Sequence, residues 1–241
     1  MKPTSGLLLS CLLISGSAIA TSPPPAPFAG EINEFRVQDE VRMPEPCGLL
    51  FVGSSSIRLW VGLERDFAGF NPIQRGFGGS QTSDANHYFD QLVTKYSPAR
   101  IIFYEGENDI NAGEPVEQIY GDLLTFLAKK DAVLGKTPVY FVAAKPSPSR
   151  ANQMAAQTSF NNKVKALAAE RDDLVFVDIV TPMLDASGNP RAELFIGDRL
   201  HMNVKGYQIW RAQILDALNN EAASASPNCI TIKEIAPKGE Q

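Results

Sequence analysis

Leu49-Leu50-Phe51-Val52-Gly53-Ser54-Ser55-Ser56-Ile57-Arg58-Leu59-Trp60 decides how the chain is read. A short apolar run stops at a glycine and three hydroxyls, and an amphipathic stretch begins at once. That is the pattern of a buried strand, a sharp turn, and a helix that starts beneath a serine. Such a turn lifts one hydroxyl off the end of a sheet and aims helix-terminal N–H groups at its neighbour. In an enzyme, a nucleophile would stand here.

The pattern repeats along the chain. A second short strand is expected near Pro72–Arg75, and further apolar runs lie at Ile101–Tyr104, Val139–Val142 and Leu174–Val177. Between them, helical stripes recur at spacings of three and four: Ile57, Trp60, Val61 and Leu63; Ala85, Phe89, Leu92, Val93 and Tyr96; Val116, Ile119, Tyr120, Leu123, Leu124 and Leu127. Helices are also expected over about 152–169 and through Tyr207, Trp210, Ile214 and Leu218, with a weaker one at Glu31–Arg42. Short continuous apolar strands alternating with helices predict an α/β fold, a parallel sheet covered on both faces. Ligands of such sheets bind at the carboxyl ends of the strands. The polar loops after the first, second, third and fifth strands are therefore expected at one rim.

The 241 residues suit one α/β domain with processing segments, and 44% hydrophobic content is enough for a sizeable core. A net charge of -5 gives no electrostatic basis for binding nucleic acid or an anionic membrane. At the start, Lys2 precedes the apolar run Leu7–Ile14, and Ala18-Ile19-Ala20 is a small-x-small cleavage site. The run falls short of the about 20 residues that span a bilayer. Residues 1–20 therefore read as an export signal, and the mature protein as secreted or periplasmic. Acylation at Cys11 is the weaker reading, since the apolar run continues past it. Residues 21–46 read as a proline-rich linker and leading helix, 47–222 as the main domain, and 223–241 as a tail. Cys47 and Cys229 remain after cleavage, and an oxidising compartment would allow them to pair. Two free thiols are the alternative.

Only two histidines occur. His87 falls in a helical stripe and reads as a surface or packing residue. His201 lies in Gly197-Asp198-Arg199-Leu200-His201, between the last strand and the last helix. Asp198, three residues earlier, is near enough on a turn to hold Nδ1 of the imidazole and leave Nε2 for a serine proton. Glu105, Glu107 and Asp109 raise a metal-site alternative, but no nearby histidine or cysteine completes a catalytic zinc set. No metal or cofactor is expected. Trp60 and Trp210 read as core, Arg58 and Arg199 as solvated or ion-paired, and the loop Lys145–Arg150 as a rigid segment beside the pocket. Ser54 and Ser56 rival Ser55 by proximity.

Taken together, these blocks resemble those of the SGNH, or GDSL, hydrolase superfamily. Gly53-Ser54-Ser55 is similar to the Gly-Asp-Ser nucleophile block and implies Ser55. Gly78-Gly79-Ser80 is similar to the second block and implies the Gly79 N–H as an oxyanion donor. Gly106-Glu107-Asn108-Asp109 is similar to Gly-x-Asn-Asp and implies the Asn108 amide, while Asp198 and His201 match the final Asp-x-x-His. The resemblance implies a three-layer sandwich with a five-stranded parallel sheet in flavodoxin-like order, and residues 47–222 as that domain. It implies a catalytic set of Ser55, His201 and Asp198, with Ser55, Gly79 and Asn108 around the oxyanion. The activity implied is hydrolysis of a small carboxylic ester such as an acetylated sugar or lipid-like ester, as in the platelet-activating-factor acetylhydrolase-like members. A lysophospholipase or thioesterase, or a non-catalytic binding domain on the same fold, are the alternatives. Ser54 and Ser80 depart from the pattern, because aspartates are usual at both positions.

Overall fold

Four of the five strands are apolar runs rich in β-branched and aromatic residues; the other, Pro72–Gly76, carries Gln74 and Arg75 and lies at the edge of the sheet. In a computed structural model, which describes residues 27–220 together with Cys229, they are β1 (Leu49–Gly53), β2 (Pro72–Gly76), β3 (Arg100–Tyr104), β4 (Val139–Val142) and β5 (Leu174–Val177). Among the described residues they make one sheet in the order β2-β1-β3-β4-β5, with every pairing parallel. This is the flavodoxin-like order, and its switch point lies between β1 and β3. The export signal, the Cys11 alternative and most of the proline-rich linker and tail lie outside the described residues.

Alternate strand residues feed two cores, as the period of two requires. Leu50, Val52, Ile101, Phe103, Val139 and Phe141 face α1 (Ala29–Val41), α4 (Thr82–His87), α5 (Phe89–Leu92), α7 (Val116–Leu134) and α8 (Met154–Glu170). Leu49, Phe51, Ile102, Tyr104, Tyr140 and Val142 face the other way, toward α2 (Ser55–Arg58), α3 (Leu63–Asp66) and α9 (Val204–Asn220). Trp60 and Trp210 are both in this second core, 6.1 Å apart and edge to face, with Tyr207 5.0 Å from Trp60.

The structure differs from the expected helices in three places. The stripe after Ser55 is not one helix: α2 ends at Arg58, the chain turns, and Val61 is 98% exposed. The stripe from Ala85 to Tyr96 is two short helices followed by a 3-10 turn at Thr94–Tyr96, although all five stripe residues are buried. Segments this short have no helical stability of their own and take their shape from the sheet beneath. The polar loop Glu105–Gly113 contains a helix, α6 (Glu107–Ala112). Its start is fixed by Asp109, whose side chain accepts the Gly106 N–H at 3.1 Å.

The leading helix α1 is docked onto the domain. Asp39 forms a buried ion pair with Arg75 on β2, and the Tyr96 hydroxyl donates to the same carboxylate at 2.6 Å. Upstream, Phe28 packs edge to face on Phe77 at 5.3 Å, and the Tyr88 hydroxyl donates to the Pro27 carbonyl at 2.5 Å. The end of the expected linker is therefore part of the packed structure. Cys47 and Cys229 form a disulfide with Cα atoms 5.5 Å apart, an ordinary separation for a bridge. No helix of the described residues is long and apolar enough to cross a membrane.

Candidate active site

The switch point dictates where the site can be. β1 delivers Ser54 and Ser55 to the carboxyl edge, and beside it β3 delivers Glu105–Asn108. Gly53 permits this close approach. A Cβ there would lie 2.4 Å from the Tyr104 carbonyl oxygen and 2.9 Å from the Ile57 side chain. The next residue, Ser54, donates its N–H to that same carbonyl at 3.3 Å, so the turn is tied across the switch point. Ser54 itself is buried and its side chain makes no cap hydrogen bond to α2. Ser55 opens α2, so its N–H has no intrahelical acceptor. Its half-buried hydroxyl lies 2.9 Å from Nε2 of His201.

The Asp198–His201 turn explains the spacing of three. Oδ1 of Asp198 accepts the N–H groups of Leu200 and His201, both at 2.9 Å, and Oδ2 lies 2.6 Å from His201 Nδ1. Arg199 adopts a left-handed backbone (φ 60°) to allow that wrap. An antiparallel bridge between Phe195 and Met202 closes the loop below. Its outer side is tied to the segment after β4, because Ser149 donates its N–H to the Arg199 carbonyl at 3.1 Å. Burial raises the Asp198 carboxyl, but the bonds from the His201 ring and from the Leu200 and His201 N–H groups outweigh it and hold the pKa at about 2. An ionised carboxylate is only an acceptor, so Nδ1 carries the proton and Nε2 is left to accept from Ser55.

Gly79 has φ +83°, a conformation open to glycine without strain, and it is exposed at the rim. The N–H of its neighbour Gly78 is committed to Oε1 of Glu31 on α1 at 2.9 Å, and that carboxylate also lies 3.7 Å from Arg58. The Gly79 N–H has no partner among the described residues. Asn108, in the first turn of α6, donates one amide N–H to the Ser80 carbonyl at 2.9 Å. The structure thus brings Ser55, His201 and Asp198 into one hydrogen-bonded chain, with Gly79 and Asn108 on the two adjoining loops. His87 is exposed and stacks edge to face on Tyr88 at 4.6 Å.

Each acidic residue of the third block is committed to protein partners. Glu107 accepts from Lys145 Nζ at 2.5 Å, from the Tyr104 hydroxyl, and from Arg150 Nη1 at 2.9 Å. Burial raises the Glu107 carboxyl, but the two cations reverse the shift and lower it; burial lowers Lys145 in turn. Asp109 accepts from the Thr82 and Gly106 N–H groups. Glu105 meets Ser80, whose hydroxyl lies 2.6 Å from Oε1 and 3.1 Å from the Phe77 carbonyl. Burial, and then the charge of Asp109, push the Glu105 carboxyl well up. Ser80 has one proton to share between these two acceptors, Oε1 of Glu105 and the Phe77 carbonyl. The carboxyl that the family pattern places at position 80 is supplied here from across the gap. Neither this exchange nor the Lys145–Glu107–Arg150 cluster was legible in the motifs, though the position of Glu107 beside Asn108 and of the 145–150 loop after a strand were both visible.

A doubly wound parallel sheet with this hydrogen-bonded serine, histidine and carboxylate beyond the carboxyl ends of its strands places the candidate site where ligands of such sheets bind. The GDSL-like lipase/acylhydrolase family matches residues 52–209, well over half of the chain, and the protein belongs to that family of ester-hydrolysing enzymes. Solved structures similar to it include a protein from Streptococcus pneumonia named provisionally as a platelet activating factor (22% identity, 78% of this chain, 91% of that one, TM-score 0.70). Others are a GDSL-like lipase from Bacteroides thetaiotaomicron (22%, 78% and 96%, 0.67) and a catalytic mutant of an acetylxylan esterase from Geobacillus stearothermophilus (14%, 73% and 97%, 0.59). At these identities the likeness is one of fold. A search of curated proteins found no match.

Proposed function

We propose that the protein is an exported serine esterase that cleaves short-chain carboxylic esters, acetyl esters first among them, through an acyl-enzyme. The observation that carries the reading is the hydrogen-bonded chain from Ser55 through His201 to Asp198. Ser55 Oγ bonds to the ester carbonyl carbon as its proton passes to His201 Nε2, and the carbonyl π electrons move onto oxygen. The Ser55 and Gly79 N–H groups and the Asn108 amide receive that negative charge, each donor being worth roughly 10²–10³ in rate. Collapse expels the alkoxide, which takes the proton from Nε2. Water then attacks the acyl-serine, gives its proton to Nε2, and the acid leaves as Ser55 recovers its own. Asp198 holds the imidazole tautomer and stabilises the imidazolium.

Export is supported by the amino-terminal pattern and by a Cys47–Cys229 bridge, which persists in an oxidising compartment. A small acyl group is supported by the sequence, which has no long apolar insertion to serve as a lid. A fluorophosphonate probe should label Ser55, as mapped by mass spectrometry, and S55A should abolish both labelling and p-nitrophenyl acetate turnover. H201A should cost roughly 10³-fold in kcat and H87A less than about twofold. Labelling that survives S55A, or equal losses in the two histidine variants, would overturn the assignment. Turnover that rises with acyl length would move the substrate to lipid-like esters.

A further inference from the structure

The esterase reading leaves Arg150 unused, yet no other side chain touches the Asn108 amide oxygen among the described residues. Nη2 of Arg150 donates to Asn108 Oδ1 at 3.0 Å, while Nη1 donates to Glu107 Oε1 at 2.9 Å and reaches the Glu107 carbonyl at 3.3 Å. The guanidinium is nearly buried, with 12% of its side chain exposed. It follows Pro146 and Pro148 in a loop whose Lys145, with its side chain 1% exposed, grips the other oxygen of Glu107.

The geometry points to Arg150 as the positioning residue of the oxyanion hole, acting through the Asn108 amide. This rests on the esterase reading, because it needs Asn108 to be an oxyanion donor. The argument is one of forced orientation. Arginine can only donate and a carbonyl can only accept, so Arg150 must face Oδ1 and the Ser80 carbonyl must face Nδ2. A flipped amide would lose both bonds at once. One N–H is spent on Ser80, which leaves the second in a fixed direction with no partner among the described residues. A preorganised donor does not have to reorient as charge develops, and that is where oxyanion stabilisation comes from. The guanidinium also draws electron density from Oδ1, which polarises the amide and strengthens its remaining N–H.

The rest of the cluster keeps Arg150 in place. Lys145 and Arg150 both contact the single carboxylate of Glu107, which is also bonded to the Tyr104 hydroxyl. Lysine lacks the planar fork that spans Glu107 and Asn108 together, so it is no equivalent here.

A double-mutant cycle on full-length protein tests the proposal, with p-nitrophenyl acetate as substrate and thermal melts run in parallel. R150A should lower kcat roughly 10–100-fold and change KM less than about threefold. R150Q, which keeps a donor without the charge, should recover part of that loss. In the N108A background, R150A should cost less than about threefold more, since its effect is routed through the absent amide. Losses that multiply fully across the two sites, or an R150A effect confined to KM or to melting temperature, would overturn the proposal. If R150A is poorly folded, the same comparison is made with R150Q and R150K, where equal kcat in both and in wild type would reject it. N108A with wild-type turnover would sink the oxyanion reading itself, whereas an impaired N108A with an unaffected R150A and R150Q would sink only the role of Arg150.

Discussion

Ser80 shows how one residue off pattern can be balanced by another. Where the family usually has an aspartate, this chain has a hydroxyl bonded to Glu105, whose pKa is driven well up by burial and then by Asp109. The second carboxyl oxygen, Oε2, is buried without a hydrogen-bond partner, which fits a neutral acid better than an anion. A carboxyl whose folded pKa is raised binds its proton more tightly in the native state. Its contribution to stability is full below the unfolded value of 4.5 and is lost as pH rises through the folded value. E105Q, which imitates the protonated acid, should therefore gain on the wild type as pH is raised from 4.5 to 9, and match it at the acid end. Urea melts across that range measure the difference. A constant gap between the two proteins would show that Glu105 is ionised throughout.

Between elements, a buried ion pair ties α7 to the residue that precedes β5. Lys130 is fully buried, and its Nζ lies 2.6 Å from Asp173 Oδ2 and 2.9 Å from the Gly135 carbonyl. Burial raises Asp173, but hydrogen bonds from Arg171 and Lys130 overcome it and hold the pKa at about 2. Lys130 Nζ also lies 2.6 Å from Asp131 Oδ1, so D173N leaves the buried ammonium one carboxylate and should destabilise by about 1–3 kcal/mol at pH 7. Because the folded pKa is depressed, that stabilisation is present above the unfolded 3.8 and is lost as pH falls toward about 2. The gap between D173N and wild type, read from denaturant melts, should close over that interval. A gap that persists unchanged to pH 2 would assign the loss to packing. A second tie joins α1 to the Gly78-Gly79 turn through Glu31 and Gly78, although α1 precedes the residues matched by the family. The extra helix thus buttresses one wall of the candidate site.

Across the molecule, the disulfide and the site occupy opposite ends of the sheet. Cys47 lies two residues before the amino end of β1, whereas Ser55 follows its carboxyl end. The bridge spans 182 residues of sequence, and a loop that long removes much freedom from the unfolded chain. C47S/C229S should lose about 2–4 kcal/mol in denaturant melts while kcat for p-nitrophenyl acetate stays within about twofold. An unchanged melt would mean that the bridge contributes nothing in solution; a large loss of kcat would mean that the two ends are coupled.

The strands and the four motif blocks could be read from the sequence because both are local. A continuous apolar run is a strand wherever it packs, and a glycine-hydroxyl or Asp-x-x-His turn carries its geometry within a few residues. The helix after Ser55 and the one through Ala85–Tyr96 were less legible, since segments this short take their shape from tertiary packing and not from their own periodicity. The partners of Asn108, Glu107 and Ser80 could not be read at all. Lys145 and Arg150 reach Glu107 over separations of 38 and 43 residues, and Glu105 reaches Ser80 over 25. Such contacts exist only once parallel strands are laid side by side. The sequence determined which groups stand at the rim; the order β2-β1-β3-β4-β5 decided which of them meet, because it sets neighbouring strand ends about 4.8 Å apart and brings their loops within hydrogen-bonding reach.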